Sequence, residues 1–161
     1  MSRKSGKSRK GPAKRSGRQK ARELTLQALY GCEVAGDTAE QAIAHMADDP
    51  HAEGVDMDYF ATLTLGIYTQ REKLDEWILR AKANWPLDRV SIVDRNILRL
   101  GIFELLEQID VPERVVFNES IELSKRYGGE ESSRFVNGVM DKVAQVIQDE
   151  KAAPLRQWEE R

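Results

Sequence analysis

The sequence predicts an all-α protein, about six or seven helices packed around the segment 92–109 and preceded by a disordered basic arm. Three observations predict it. Apolar residues recur at three- and four-residue spacing through most of the 161 residues, and no stretch alternates with the period of two that a half-buried strand requires. Glycine and proline punctuate the intervals between these runs. No internal repeat of a solenoid's length is present.

Residues 1–17 form the arm. Ser2 to Gly17 is Lys, Arg, Ser and Gly with one proline, one alanine and no large apolar residue, so nothing offsets the entropy of ordering it. From Arg18 the spacing becomes helical, with Leu24, Ala28 and Cys32 four apart, Leu29 and Tyr30 widening the stripe, and Gly36 as terminator. Arg18, Lys20 and Arg22 then stand at a helix start, where cations oppose the helix dipole at a cost of roughly 0.3–1 kcal/mol each.

A short helix is predicted over 39–47, followed by an acidic loop from Asp48 to Asp56. Phe60, Leu63, Ile67, Leu74, Ile78 and Ala81 mark one long amphipathic helix that ends near Trp85-Pro86. Ser91 and Asp94 have the spacing of a capping box at the head of 97–106, a run apolar on nearly every side and therefore central. Asp110-Val-Pro112-Glu113 opens the next helix and Gly128-Gly129 closes it; Val115–Phe117 has strand propensity, but Ile121, Leu123 and Tyr127 continue at helical spacing. The last strong helix carries Phe135, Val136, Val139, Met140, Val143 and Ile147. The helical domain spans 18–150, and 151–161 is a C-terminal tail.

The formal net charge of −2 conceals a division, because residues 1–22 hold ten basic groups and no acid. Taking those ten from the 25 Lys and Arg leaves 15 basic against 27 acidic groups over 23–161, a balance of −12. A cationic arm precedes an anionic body. Ten such cations suit a polyanion, whose condensed counterions are released on binding, although charge alone does not separate RNA, DNA, acidic protein or membrane.

Catalysis finds no support. Gly6-Lys7-Ser8 resembles the end of a phosphate-binding loop, but Met1 stands where the first glycine belongs and no strand precedes it. His45 and His51, beside Asp48, Asp49 and Glu53, match neither zinc nor calcium spacing and pair with no nucleophile, so no metal, cofactor or catalytic residue is assigned. Cys32, the one cysteine, reads as a small core residue in a reducing compartment. No apolar run approaches the ~18 residues of a membrane span, and a cytoplasmic location is expected.

A second pointer is the entry to the last helix, Gly129 to Gly138. Ser132 or Ser133 can cap it, and its amides can meet a phosphate. Phe135 either packs in the core, which periodicity favours, or stacks on an unpaired base. Gly138 inside a helix costs about 1 kcal/mol relative to alanine, which points to a close backbone approach there, for packing or for function.

Five blocks carry a resemblance over 18–146: Arg22-Glu-Leu-Thr-Leu-Gln-Ala-Leu-Tyr30, Trp85 through Leu100, Asp110-Val-Pro112, Asn118 through Lys125, and Phe135-Val-Asn-Gly-Val-Met-Asp-Lys142. In this order they resemble the NusB family of bacterial transcription antitermination proteins. The resemblance implies two packed helical bundles, no catalysis, and a complex with ribosomal protein NusE that binds single-stranded boxA of nascent ribosomal RNA. RNA polymerase, NusA and NusG complete the implied assembly.

By the same resemblance the RNA contacts fall on Arg18, Lys20 and Arg22. Gln19 stands where a basic residue is common, which gives Lys14 and Arg15 the substitute role. Glu131, Arg134 and Phe135 match the family's contacts at the late helix. Tyr30 and Asp94, with Asp88 and Arg89 nearby, match the NusE interface, where acids suit a ribosomal protein's basic surface. Asp94 can act there and as the cap. The arm is longer than in many relatives, and no methyl-donor domain follows, unlike the similar helical domains fused to ribosomal RNA methyltransferases. The alternative function is a ribosome-assembly or ribosomal-RNA-processing chaperone using the same complex.

Overall fold

Ser16 starts the first helix. Its Oγ accepts the Gln19 amide at 3.1 Å while Gln19 Oε1 accepts the Ser16 amide at 2.8 Å, a reciprocal capping box that satisfies two otherwise free donors. In the computed structural model, which describes residues 15–82 and 89–159 with side chains at 15–81 and 89–151, this helix is α1, Gly17–Ala35. It begins one residue before the expected boundary, so the last residues of the expected arm belong to the folded body. The rest of the arm, including Lys14, lies outside the described residues, as do Trp85, Pro86 and Asp88.

Gly36, at φ +78°, closes α1 in the left-handed conformation that glycine adopts without strain. Thr38 and Gln41 form a second capping box at the head of α2, Ala39–Ala47. A 3₁₀ turn at Pro50–Ala52 leads to α3, Met57–Thr69, capped by Asp56, whose own amide donates to Gly17 O at 3.1 Å and ties the starts of α1 and α3 together.

The single long helix expected over 60–81 is two. α3 ends at Gln70, and α4, Arg71–Lys82, resumes at the next residue. Leu63, Ile67, Leu74 and Ile78 are all buried, so the apolar spacing runs on through a one-residue joint that periodicity does not register. The joint matters because α3 packs on α1 and α2, whereas α4 packs on α5 (Ile92–Glu107) and α7 (Ser132–Glu159). With α6, Glu113–Tyr127, this gives two bundles, α1–α3 and α4–α7. Among the described residues there are seven α-helices and no strand; Val115–Phe117 is helical, with Val116 buried.

α5 joins the bundles. Ile97, Leu98, Leu100 and Ile102 are fully buried, and the helix contacts α1 and α3 on one side and α4, α6 and α7 on the other. Two glycines permit this proximity. A Cβ on Gly66 of α3 would collide with the Phe103 ring, and one on Gly101 would stand 2.8 Å from both Met140 Cε and Ser120 Oγ. Polar groups reinforce the joints: Thr25 and Thr64 share a hydrogen bond at 3.2 Å between α1 and α3, and Arg99 makes two 2.8 Å bonds to Asp75 and one of 3.1 Å to Glu33. Cys32 is half-buried against the core, and burial pushes its thiol pKa up, as a packing residue requires.

Only half of the capping box expected on α5 forms. Ser91 Oγ accepts the Asp94 amide at 3.0 Å, but Asp94 makes no return bond, and its Oδ1 is shielded from solvent with no hydrogen-bond partner among the described residues. α7 continues to Glu159, so most of the expected tail prolongs the last helix.

Candidate nucleic-acid interface

α1 presents its cations in two ways. Arg22 turns inward: it is 4 % exposed, its Nε donates to Glu104 at 2.9 Å, and its Nη1 lies 3.7 Å from Glu119. Glu104 is 1 % exposed and also accepts the Tyr59 hydroxyl. The expected phosphate contact at Arg22 is therefore corrected to a buried ion pair linking α1 to α5. The physical reason is helical phase, since Arg22, Leu26 and Leu29 are spaced i, i+4, i+7 on the buried face.

Burial raises the Glu104 carboxyl above its ordinary range, the charge of Arg22 and the bonds from Tyr59 and Arg22 pulling the other way. Tyr59 is likewise raised, by burial first and by Glu104 second. Sequence reasoning missed Tyr59 and Glu104. Glu104 carried a signal, being the one acid inside the apolar run 97–106, where a buried carboxylate requires a cation.

Arg15, Arg18 and Lys20 stay within reach of solvent. Arg18 lies over the Tyr59 ring at 4.1 Å and 3.5 Å from Asp110. Arg15 Nε is 2.8 Å from Glu23, which Arg126 also approaches at 3.8 Å. Lys20 rests across Gly54, where φ is +79° and a Cβ would meet Nζ at 2.8 Å. Arg15, Lys20, Glu23, His51 and Tyr127 border an 850 Å³ cleft. Burial and the nearby Glu23 raise the Tyr127 hydroxyl above its usual range. Gln19, in place of a basic residue, is occupied by the cap and by a 2.9 Å bond to Glu119.

The second region lies at the entry to α7. Arg89, Asp94, Glu131 and Phe135 border one 390 Å³ cleft, so residues expected to face NusE and residues expected to face RNA share a surface. Phe135 is half-buried against the core, which meets the packing expectation, and it also borders a 450 Å³ groove with Arg134, Gly138 and Lys142. Arg134 is 88 % exposed, 3.9 Å from Glu131 one turn back. Ser132 does not cap as expected: its hydroxyl accepts the Gly129 amide at 2.8 Å, outside the helix, while the Phe135 amide already donates to Glu131 O at 3.1 Å. Among the described residues, leaving aside the backbone of α7 and the neighbours in the chain, no atom lies within 4 Å of where a Gly138 Cβ would stand.

Tyr30, 48 % exposed, borders an apolar 220 Å³ cleft with Leu26, Val93 and Tyr127, and Val34 is exposed one turn on. That patch suits a protein partner. In the histidine region His51 Nδ1 and Asp49 Oδ1 are 2.6 Å apart, and the described residues hold no group of three or more metal-ligating side chains. No described helix is long and apolar enough to cross a membrane.

Comparison with known proteins assigns most of the helical body to one family. The NusB family model matches residues 19–145. A transcription antitermination protein NusB from Anaeromyxobacter dehalogenans (strain 2CP-1 / ATCC BAA-258) is 48 % identical over 131 residues, covering 80 % of this chain and 91 % of the relative. The Myxococcus xanthus (strain DK1622) protein of the same name is 45 % identical over 136 residues, 82 % of this chain and 94 % of the relative. Among solved structures, T. maritima NusB superposes with a TM-score of 0.72 at 34 % identity, covering 82 % of this chain and 93 % of that one. A structure of antitermination factors NusB and NusE in complex with double-stranded RNA gives 0.72 at 26 % identity, over 80 % and 96 %. The chain belongs to the NusB family.

Proposed function

We propose that this protein is a non-enzymatic RNA-binding factor that joins NusE on boxA of nascent ribosomal RNA and promotes transcription antitermination. One observation carries the reading. Solvent-reachable cations stand in two regions, Arg15, Arg18 and Lys20 at α1 and Arg134 and Lys142 at α7; the cleft of Tyr30 shares Glu23, Gln27 and Tyr127 with the cleft of Arg15 and Lys20, and the cleft of Asp94 shares Phe135 with the groove of Arg134 and Lys142. The names and complexes of the relatives support it.

In this reading the α1 cations hold phosphates, which fixes register without reading sequence, and Phe135 meets an unstacked base. Glu131 orients Arg134. Lys14 adds a further phosphate contact. Tyr30 fills an apolar recess of NusE, while Asp94 and Asp88 meet its basic surface and Arg89 sits at the rim. Asp94 borders the same cleft as Arg89, which supports a place for it at that surface. RNA polymerase, NusA and NusG complete the assembly, which acts in the cytoplasm; the residues before the Ser16 cap serve as arm, the helical body to about residue 150 as binding domain, and 151–161, into which α7 continues, as its C-terminal extension.

The test is an anisotropy titration of boxA against scrambled RNA, single-stranded and duplex, with NusE present. Preference for single-stranded boxA is expected, and equal affinity for boxA and scrambled RNA contradicts the proposal. A read-through assay on a boxA template then separates antitermination from ribosome assembly.

A further inference from the structure

We propose that Tyr59 is a positioning residue for RNA, its fixed ring carrying the Arg18 guanidinium so that a phosphate of the strand meets a planar fork already in place; this rests on the RNA-binding reading above. Arg18 lies 4.1 Å from the ring centroid with its side chain 42 % exposed, whereas Tyr59 is 5 % exposed. A buried ring thus offers its face to a cation that solvent still reaches. The fold does not need that cation for charge balance, because Arg22 already pairs with the buried Glu104.

Three helices hold the ring still. The Asp56 amide donates to Gly17 O at 3.1 Å and Asp56 Oδ1 accepts the Tyr59 amide at 3.0 Å, which sets the first turn of α3 beside the first turn of α1. From α5, Glu104 accepts the Tyr59 hydroxyl, and it also accepts Nε of Arg22, whose guanidinium lies 5.7 Å from the same ring. A guanidinium carried on a fixed ring gives up less rotamer freedom when it binds than one on a free side chain. Its fork can then meet phosphate through two parallel N–H groups, which a lysine cannot do. Asp110 stands 3.5 Å from Arg18 Nη1 and is 67 % exposed, a solvent-screened pair that a phosphate can displace.

The experiment measures binding of single-stranded boxA RNA by anisotropy over a salt series, with NusE present. It compares the full chain with Arg18→Ala, Arg18→Lys, Tyr59→Phe, Tyr59→Leu and the combination of Arg18→Lys with Tyr59→Leu, each checked for folding by circular dichroism. Arg18→Lys keeps the charge but loses the fork, so affinity should fall roughly three- to tenfold with the salt slope kept, whereas Arg18→Ala should also flatten the slope by about one. Tyr59→Phe keeps the ring and should bind within about twofold of the parent; Tyr59→Leu should weaken binding as much as Arg18→Lys does and add nothing to it in combination. A lysine variant that binds as tightly as the parent overturns the proposal, and that result stands whether or not Tyr59→Leu folds. Losses from Arg18→Lys and Tyr59→Leu that add in full also overturn it, since the ring then acts through the fold and not through Arg18. Arg18→Ala with affinity and salt slope unchanged overturns the phosphate contact assigned to Arg18 in the reading above, and this proposal with it.

Discussion

The start of α1 and the entry to α7 both carry cations, yet they treat them differently. At α1, Arg15, Arg18 and Arg22 are each matched by an acid of the body, Glu23, Asp110 and Glu104 respectively. At α7, the acid paired with Arg134 among the described residues is Glu131 on its own turn, 3.9 Å away and itself exposed. The region with the higher charge density is thus the one whose charges hold the fold together. A cation's availability is set by helical phase and by the acids facing it, and less by how many cations surround it.

The largest effect follows from the deepest pair. Arg22→Ala leaves Glu104 buried without its cation and should cost about 3–5 kcal/mol in urea unfolding, whereas Arg18→Ala, half-exposed over Tyr59, should cost about 1 kcal/mol or less. If Arg22→Ala keeps its stability and loses RNA affinity, the contrast between the two arginines is wrong.

Next in size is the effect of Phe135→Ala, expected to weaken boxA binding by about 1–3 kcal/mol, a stacked base's worth. Part of any loss could reflect core packing, so the thermal midpoint must be read alongside it.

Stability against pH sharpens the comparison further. Because burial raises the Glu104 carboxyl, the folded chain keeps that proton to higher pH than the unfolded chain does. The stabilisation from that proton is complete below the ordinary value of 4.5 and is lost as pH rises through the folded value. Glu104→Gln should lower overall stability, through the lost pairing with Arg22, while flattening the decline on the alkaline side of 4.5 in denaturation midpoints. A slope matching the parent's would assign the decline to other groups.

The smallest effect expected is from Lys20→Ala, which removes one phosphate contact. The slope of log affinity against log salt should shallow by roughly one, with boxA and scrambled RNA affected alike. An effect confined to boxA would make Lys20 a base reader.

Much of this fold was legible, because amphipathic spacing reports directly on which face a helix buries. Leu24, Ala28, Ile97, Leu98, Val136 and Val143 are core as their spacing indicates. The joint at Gln70 was hidden, since both helices it separates keep one apolar phase. Ser132 offered the residue type of a cap, but its hydroxyl is taken by the Gly129 amide, a partner in the preceding turn that composition does not reveal.

For the candidate site, charge and motif pointed to both regions, and phase was the omitted test. Arg22 shares a face with Leu26 and Leu29, which suffices to turn it inward. Tyr59 was unreadable, because its role depends on contacts with Arg18, Arg22 and Glu104, 41, 37 and 45 positions away in sequence. Gly138 was recognised as costly, and the close approach expected there is not made by any described residue.

The central claim is that the α1 cations anchor RNA without reading it, while the α7 entry reads it. It is tested most directly by titrating boxA and scrambled RNA, with NusE present, against an Arg15→Ala, Arg18→Ala, Lys20→Ala triple variant and against Phe135→Ala over a salt series. The account predicts that the triple variant weakens both RNAs equally and flattens the salt slope, while Phe135→Ala shrinks the preference for boxA with the slope kept. Loss of boxA preference in the triple variant, with Phe135→Ala retaining it, would contradict the account.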